Sequence, residues 1–271
     1  YDGHKGFLMG GNNPVGSLAE DGDDVQTWTM NRILDNVSLS YEIVDGLQIR
    51  SAWAFDLLSY NEFYFRNGRY GDGRNLNGLG TESTRNILNW IGTQPLNYNK
   101  SFDGVHNMTL LAGYESQKST TRSVITTGND FAHPSLRTLA SAAEPNSISS
   151  TLTEFAFTSV FARANYNYAE KYFLSGSVRN DGSSRFGANS RFGTFWSVGV
   201  AWRLDQEAFL QANSFITALK LRASYGVLGN AGIGNYEHIG TINFSGIDYD
   251  GNPGGAPGQI GNPDLTWEKS T

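Results

Sequence analysis

Between Tyr166 and Tyr225 apolar and polar side chains alternate, and the charged residues of the alternating segments keep to one parity. Successive residues of a strand point to opposite faces, so this pattern makes a sheet with one apolar and one polar face. An apolar face that size must be covered. A second sheet covers it in a water-soluble sandwich, and lipid covers it in a transmembrane barrel.

Composition leaves both solutions open and closes others. With 16 Phe, 13 Tyr, 6 Trp and only 17% charged residues in 271, the chain is too aromatic and too weakly charged to be disordered. It has no Cys, hence no disulfide and no thiolate metal site. A net charge of -6 with 20 scattered basic residues argues against a nucleic-acid surface. Mean hydropathy is -0.38 and no run approaches the roughly 18 to 20 apolar residues of a membrane helix. A barrel hides its membrane face in every second residue, so that index is nearly blind to it. The start, Tyr1-Asp2-Gly3-His4, is no signal peptide, and the chain is expected either to have lost one or to be an excerpt.

Residues 1–35 read as a loop. The acidic patch Glu20 to Asp24 offers oxygen ligands but lacks calcium-loop spacing and is read as solvated. From Val37 the period is two, with Val37, Leu39, Tyr41 and Ile43 opposite Ser38, Ser40 and Glu42. Asp45-Gly46 turns the chain into a return strand carrying Leu47, Ile49, Trp53 and Phe55. Asn61 to Arg85 reads as loop, and Asn86 to Lys100 as a strand with a bulge or edge at Pro95. Met108 to Gln117 is a strand and 120–150 a long loop. A strand from Val160 to Tyr168, a turn at Ala169-Glu170-Lys171, a strand from Tyr172 to Arg179 and a loop from Asn180 to Arg191 follow. Phe192 to Arg203 is a strand, Leu204 to Ala218 a medium connection with a helical turn near Glu207 to Leu210, and Leu219 to Tyr225 a strand. Gly251 to Gly258 reads as a flexible outer loop, and Leu265-Thr266-Trp267 starts a ninth strand.

Two regularities separate barrel from sandwich. Glu42, Arg50, Asp56, Glu115, Arg163, Arg179, Arg203, Lys220 and Arg222 all fall on the polar parity. Charge on a lipid face costs about 2–4 kcal/mol at mid-bilayer, although a dry sandwich interior would exclude it too. The connections then run alternately short and long, which is the habit of outer-membrane barrels with their short periplasmic turns and long outer loops. Tyr168, Tyr172, Trp202 and Tyr225 near strand ends suit interfacial girdles. The barrel is the preferred reading, and the sandwich stays as its alternative.

No catalytic constellation stands out. His4, His106, His133 and His238 are scattered and no G-x-S-x-G elbow occurs. Gly229, Gly232 and Gly234 have the wrong spacing for a dinucleotide fingerprint and read as loop glycines. Asp181-Gly182 with Ser183 and Ser184 is a turn signal flanked by Arg179 and Arg185, which could pair with the carboxylate. It reads as a charged lock holding a loop over the barrel mouth, with cargo contact as the other possibility. Phe63, Tyr64, Phe65, Tyr70 and Tyr249 could stack on sugars or peptides, but girdle or loop packing is the expected role.

The strings SVRNDGSSRFG (Ser177 to Gly187), FWSVGVAWRLDQEAF (Phe195 to Phe209), LKLRASYGVLGN (Leu219 to Asn230) and GNPDLTWEKS (Gly261 to Ser270) closely resemble the barrel of SusC/RagA-like TonB-dependent outer-membrane transporters. Asn165 to Tyr168 before Lys171-Tyr172, and Arg32 to Gly46, resemble it too. The resemblance covers most of the chain from about residue 31. The family-motif residues it marks, expected to be structural, are Arg179, Asp181, Gly182, Ser183, Ser184, Arg185, Phe186, Gly187, Trp202, Arg203, Glu207, Lys220, Arg222, Gly229, Asn230, Asn262, Pro263, Trp267 and Glu268.

The resemblance implies an all-β, antiparallel barrel of 22 strands closed by a plug and set in the bacterial outer membrane. It also implies a SusD-like surface lipoprotein as lid, energy from the TonB-ExbB-ExbD complex, and uptake of oligosaccharides or peptides with no cofactor and no enzymatic step. On this reading residues 1–35 are an extracellular entry segment and 36–271 a middle part of the barrel; neither plug nor TonB box is read in the chain. A passive or adhesive barrel is the alternative within the membrane class.

Overall fold

The computed structural model describes residues 24–69, 71–211, 215–244 and 246–271. Eight strands follow one another in a meander: β1 (Val25–Val44), β2 (Leu47–Arg66), β3 (Leu79–Phe102), β4 (His106–Phe131), β5 (Ala142–Tyr168), β6 (Tyr172–Ser183), β7 (Phe192–Arg203) and β8 (Lys220–Asn230). A short helix, α1 (Ala208–Gln211), lies between β7 and β8. After β8 come β9 (Thr241–Asn243), β10 (Asp248–Tyr249), β11 (Asn252–Pro253), β12 (Ala256–Gln259) and β13 (Glu268–Ser270). The main sheet has the order β1-β2-β3-β4-β5-β6-β7-β8-β13, and β10-β11 and β12-β9 are separate two-stranded ribbons.

The tight turns have a local cause. Asp45-Gly46 joins β1 to β2 with Gly46 at φ +79°, and Asp103-Gly104 turns between β3 and β4 at φ +50° and +68°. Left-handed backbone at such positions matches the right-handed strand twist, and Gly adopts it without steric cost. Ala169 and Glu170 are also left-handed, and Glu170 N–H is held by the Asn167 side chain at 3.1 Å. From β5 through β8 the antiparallel register runs residue by residue, for example Tyr166↔Leu174, Leu174↔Val200 and Val200↔Ala223.

The chain forms two compact units. One comprises 36–54, 90–118 and 155–271. Its apolar face is bare: Val160, Leu174, Val178, Trp196, Val198, Val200, Leu221 and Tyr225 are all exposed. No second sheet lies over them among the described residues, and an exposed apolar face of this size fits one that meets lipid. An aromatic row closes the face at the short-turn end, with Tyr168 stacked on Tyr172 at 6.3 Å and Tyr172 on Trp202 at 6.2 Å. His106 and Tyr166 join it through a 2.7 Å hydrogen bond. Exposed Phe192 sits on the same parity at the other end of β7. Ten residue steps at about 3.3 Å, tilted by about 40°, span about 25 Å, the height of an outer-membrane apolar band.

The other unit holds the described residues up to Asp35 with 55–89 and 119–154. Phe65 is fully buried edge-on against Phe131 at 5.0 Å, with the Arg137 guanidinium over its ring. Asn67, also fully buried, donates from its backbone and side chain to Asp24. Arg32 grips Asp56 with two hydrogen bonds of 2.8 and 2.9 Å. Here the parity rule lapses: Glu82, Arg122 and Glu154 fall on the positions that are apolar nearer the short turns.

Several sequence expectations change. β1 starts at Val25, inside the expected 1–35 loop, and the acidic patch apart from Asp24 lies outside the described residues. The expected loops at 61–85 and 120–150 shrink to 67–78 and 132–141, because β2 to β5 run on for 20, 24, 26 and 27 residues. The extensions at 79–86, 118–130 and 142–154 are largely polar on both faces, and 61–66 puts consecutive aromatics on both, so no apolar period marks them. Pro95 lies within β3, between β2 and β4, and not on an edge. β6 continues to Ser183 and leaves only 184–191 as loop. The Gly251 to Gly258 stretch contributes to β10-β11 and β12-β9. Short turns at 45–46, 103–105 and 169–171 alternate with longer loops at 67–78, 132–141 and 184–191, but the 204–219 connection is longer than any of these loops.

Candidate functional site

The motif residues gather at opposite ends of β7, both within the 36–54, 90–118 and 155–271 unit. At the loop end, on the charge-bearing face, Phe186, Phe195 and Trp267 form a buried cluster lined by Phe157, Val227, Ala231, Ile233 and Leu265. Phe186 is 0% exposed and lies 4.7 Å from the Trp267 ring, which meets Phe195 at 5.2 Å. Three sequence blocks far apart in the chain thereby share one core.

Backbone bonds zip the blocks together. Gly187 N–H donates to Leu265 O at 3.0 Å, Asn189 N–H to Pro263 O at 3.2 Å, and Trp267 Nε1–H to Arg191 O at 3.1 Å. Ser184 and Ala156 exchange two bonds, and Ser183 Oγ accepts from Arg185 N–H. Asn230 Oδ1 accepts from Gly232 N–H while its Nδ2 donates to Glu268 at 3.0 Å. Gly187 is required by closeness: a Cβ there would overlap the Pro263 carbonyl and stand 2.9 Å from Asn262 O. Gly229 belongs to β8 and not to a loop, and its bare Cα makes room for the Phe195 ring.

The two arginines flanking Asp181 part company. Arg179 pairs with Asp181 through Nε at 2.6 and 2.9 Å and reaches Ser159 and Glu115 with Nη2 at 2.9 and 3.3 Å. Arg185 turns the other way. It donates to Asn235 Oδ1 and to Ala231 O, each at 3.0 Å, and lies 4.2 Å over the Phe155 ring. Gly182, next to last in β6, lies beside Phe192. Phe157, Ser159, Glu115 and Asn235 are partners that sequence reasoning missed; only their parity hinted at them.

At the short-turn end Trp202, Arg203, Glu207, Lys220 and Arg222 meet. Arg203 binds Asp205 at 2.8 Å, and Gln206 adds a 3.0 Å bond to the same oxygen. These bonds hold the buried Asp205 carboxyl well below the usual carboxylate range. Glu207 accepts from Tyr172 Oη at 2.7 Å and Trp202 Nε1 at 3.1 Å, with Lys171 at 3.6 Å. Its pKa is lowered by the tyrosine bond first, then by the tryptophan and the lysine charge. Lys220 stands 4.2 Å over the Phe173 ring, and Arg222 lines a hollow of about 420 Å³ with Asn107, Asn165, Asn167 and Ser175. More of that hollow's lining is apolar than polar, with Phe173, Leu174 and Val200 among its walls.

Among the described residues no cluster of His, Asp and Glu could hold a metal ion, and His4 lies outside them. Of the stacking candidates, Phe65 is buried, Tyr64 accepts from Arg66, Phe63 lies in β2, Tyr70 lies outside the described residues, and Tyr249 is in β10.

Comparison with known proteins agrees with this architecture. The family model described as "TonB dependent receptor-like, beta-barrel" matches residues 3–271. TonB-dependent receptors P3 and P39 of Formosa agariphila are 34% and 33% identical over 95% and 86% of this chain, which spans only 26% and 22% of their lengths. Among solved structures, the RagAB peptide importer in its open-open state superposes with a TM-score of 0.84 at 26% identity, over 97% of this chain and 29% of that one. The RagAB peptide transporter matches at 0.80 and 27% identity, over 90% of this chain and 28% of that one. These relatives are receptors and transporters, not enzymes. The chain belongs to the TonB-dependent receptor family and forms part of its β-barrel in the bacterial outer membrane.

Proposed function

We propose that this sheet is wall in an active importer of an oligomeric nutrient, a peptide or an oligosaccharide. TonB supplies the energy and a SusD-like surface lipoprotein serves as lid. The observation that carries this reading is the match to the RagAB peptide importer over 97% of the chain. It favours peptide as the cargo to test first. The chain covers about a quarter of its curated relatives, so plug, coupling segment and lid contacts belong to the whole protein.

The motif residues fit this role as wall architecture. Phe186 and Trp267 are committed to one core, and Gly187 and Pro263 to the backbone bonds beside it. We assign Arg185 to fixing the 184–191 loop, Arg179 and Asp181 to tying β6 to β5 and β4, and specificity to side chains elsewhere.

The test is uptake of labelled oligopeptides and oligosaccharides by cells with and without the full-length gene, each in TonB-positive and TonB-negative backgrounds. Uptake of one class that needs both the gene and TonB is expected, together with co-purification of a surface lipoprotein. Gene-dependent entry that persists without TonB would instead mark a passive barrel.

A further inference from the structure

The connection between β7 and β8 carries Phe209, which lies in α1 and is 69% exposed. In water such a residue on a short linker would be a liability; beside a bilayer it is an anchor.

Where the connection lies is set by Glu207. Its two hydrogen-bond donors, Tyr172 and Trp202, belong to the aromatic row on the apolar, lipid-facing side of the sheet. Arg203 and Lys220, at the strand ends where the connection leaves and returns, pair with each other on the opposite parity. The chain therefore leaves β7 at the rim and is drawn outward over the lipid side by Glu207. It is closed at its base by Asp205 N–H on Leu219 O at 3.2 Å. Phe209 follows Glu207 by two residues. Lys171, at 3.6 Å from Glu207, offers a long stem with a charged head, the shape that snorkels at a headgroup boundary.

We propose that residues 204–211 are a membrane-interface anchor, with Glu207 clamping them to the aromatic girdle and Phe209 inserted at the boundary between headgroups and acyl chains of the adjoining leaflet. The occupant is phospholipid, because the surface is continuous with the lipid-facing side of the sheet. This assignment does not depend on what the transporter carries.

The full-length protein is reconstituted in vesicles of phosphatidylethanolamine and phosphatidylglycerol and spin-labelled at F209C. This chain contains no Cys, and any elsewhere in the protein are replaced. Accessibility to oxygen and to a neutral nickel chelate is compared with V198C on the lipid face and S197C on the opposite face. The F209C label is expected to collide with oxygen several-fold more often than S197C, approaching V198C. E207A should return it at least halfway to the S197C value. A label that is nickel-accessible like S197C, or shielded from both reagents as in a protein contact, overturns the anchor. Unchanged lipid exposure in E207A overturns the clamp. If E207A fails the folded-barrel gel-shift test, W202F, which removes one donor and keeps the ring, is read the same way.

Discussion

Replacing Gly187 by Ala adds one methyl group at the point where the 184–191 loop touches the 262–265 segment. The added Cβ would overlap the Pro263 carbonyl carbon and oxygen and stand 2.9 Å from Asn262 O. Each of these atoms is backbone, so no side chain can swing aside. Overpacking of this kind costs about 1–3 kcal/mol. Separating the segments also weakens the 3.0 Å bond from Gly187 N–H to Leu265 O, a neutral bond with a net contribution of about 1 kcal/mol. The combined loss of about 2–4 kcal/mol falls on the junction, since the β5–β8 ladder does not pass through it. Local opening should therefore rise about 30- to 900-fold. Hydrogen exchange read by mass spectrometry on the assembled full-length protein, in peptides covering 184–191 and 261–268, measures it. Gly176→Ala is the matched control, because nothing lies within 4 Å of its added Cβ. Equal exchange in G187A and wild type, or equal acceleration in G176A, would refute the close-approach argument.

Two further outcomes follow from the wall and its rim. Val198→Arg places a charge near the middle of the Phe192 to Trp202 span on the lipid face and should cost about 2–4 kcal/mol in urea titrations of folding into vesicles, whereas Ser197→Arg should cost much less; equal costs would mean that the faces are misassigned. Asp205 and Glu207 have folded-state pKa values below their unfolded values of about 3.9 and 4.3. Their contribution is thus fully present above those values and disappears as pH falls through the folded ones. Mobility of the F209C label should be flat from pH 8 to 5 and rise only below about pH 4, and a transition near pH 6 would contradict the assignment.

Legibility of the fold in the sequence tracked the solvent of each face. Where lipid covers one side, as for Leu174, Val198 and Leu221, alternation is unmistakable and the strands are readable from it. Along 116–130 and 142–154 neither face is apolar, so the same ladder continued without a signal. The motif strings marked Phe186, Gly187, Gly229 and Trp267, yet their common core depends on contacts across about eighty residues of chain, which spacing cannot reveal. Asp181 illustrates the limit: with two flanking arginines it had a choice of partner, and Arg185 is taken by Asn235, the Ala231 carbonyl and the Phe155 ring, all distant in sequence.

The unbroken length of β5 has an evolutionary consequence. It runs 27 residues while a tilted membrane strand needs about ten, so more than half of it is free of lipid and could drift rapidly. Yet every residue still takes its side from the count of its predecessors. A single insertion near Ser150 would exchange the faces of everything between it and the nearest bulge able to absorb the slip, and within the lipid band it would turn Arg163 outward. Lineages remodelling this part of the wall should therefore gain or lose residues in pairs, in neighbouring strands together, and alignments of their strand lengths should show steps of two.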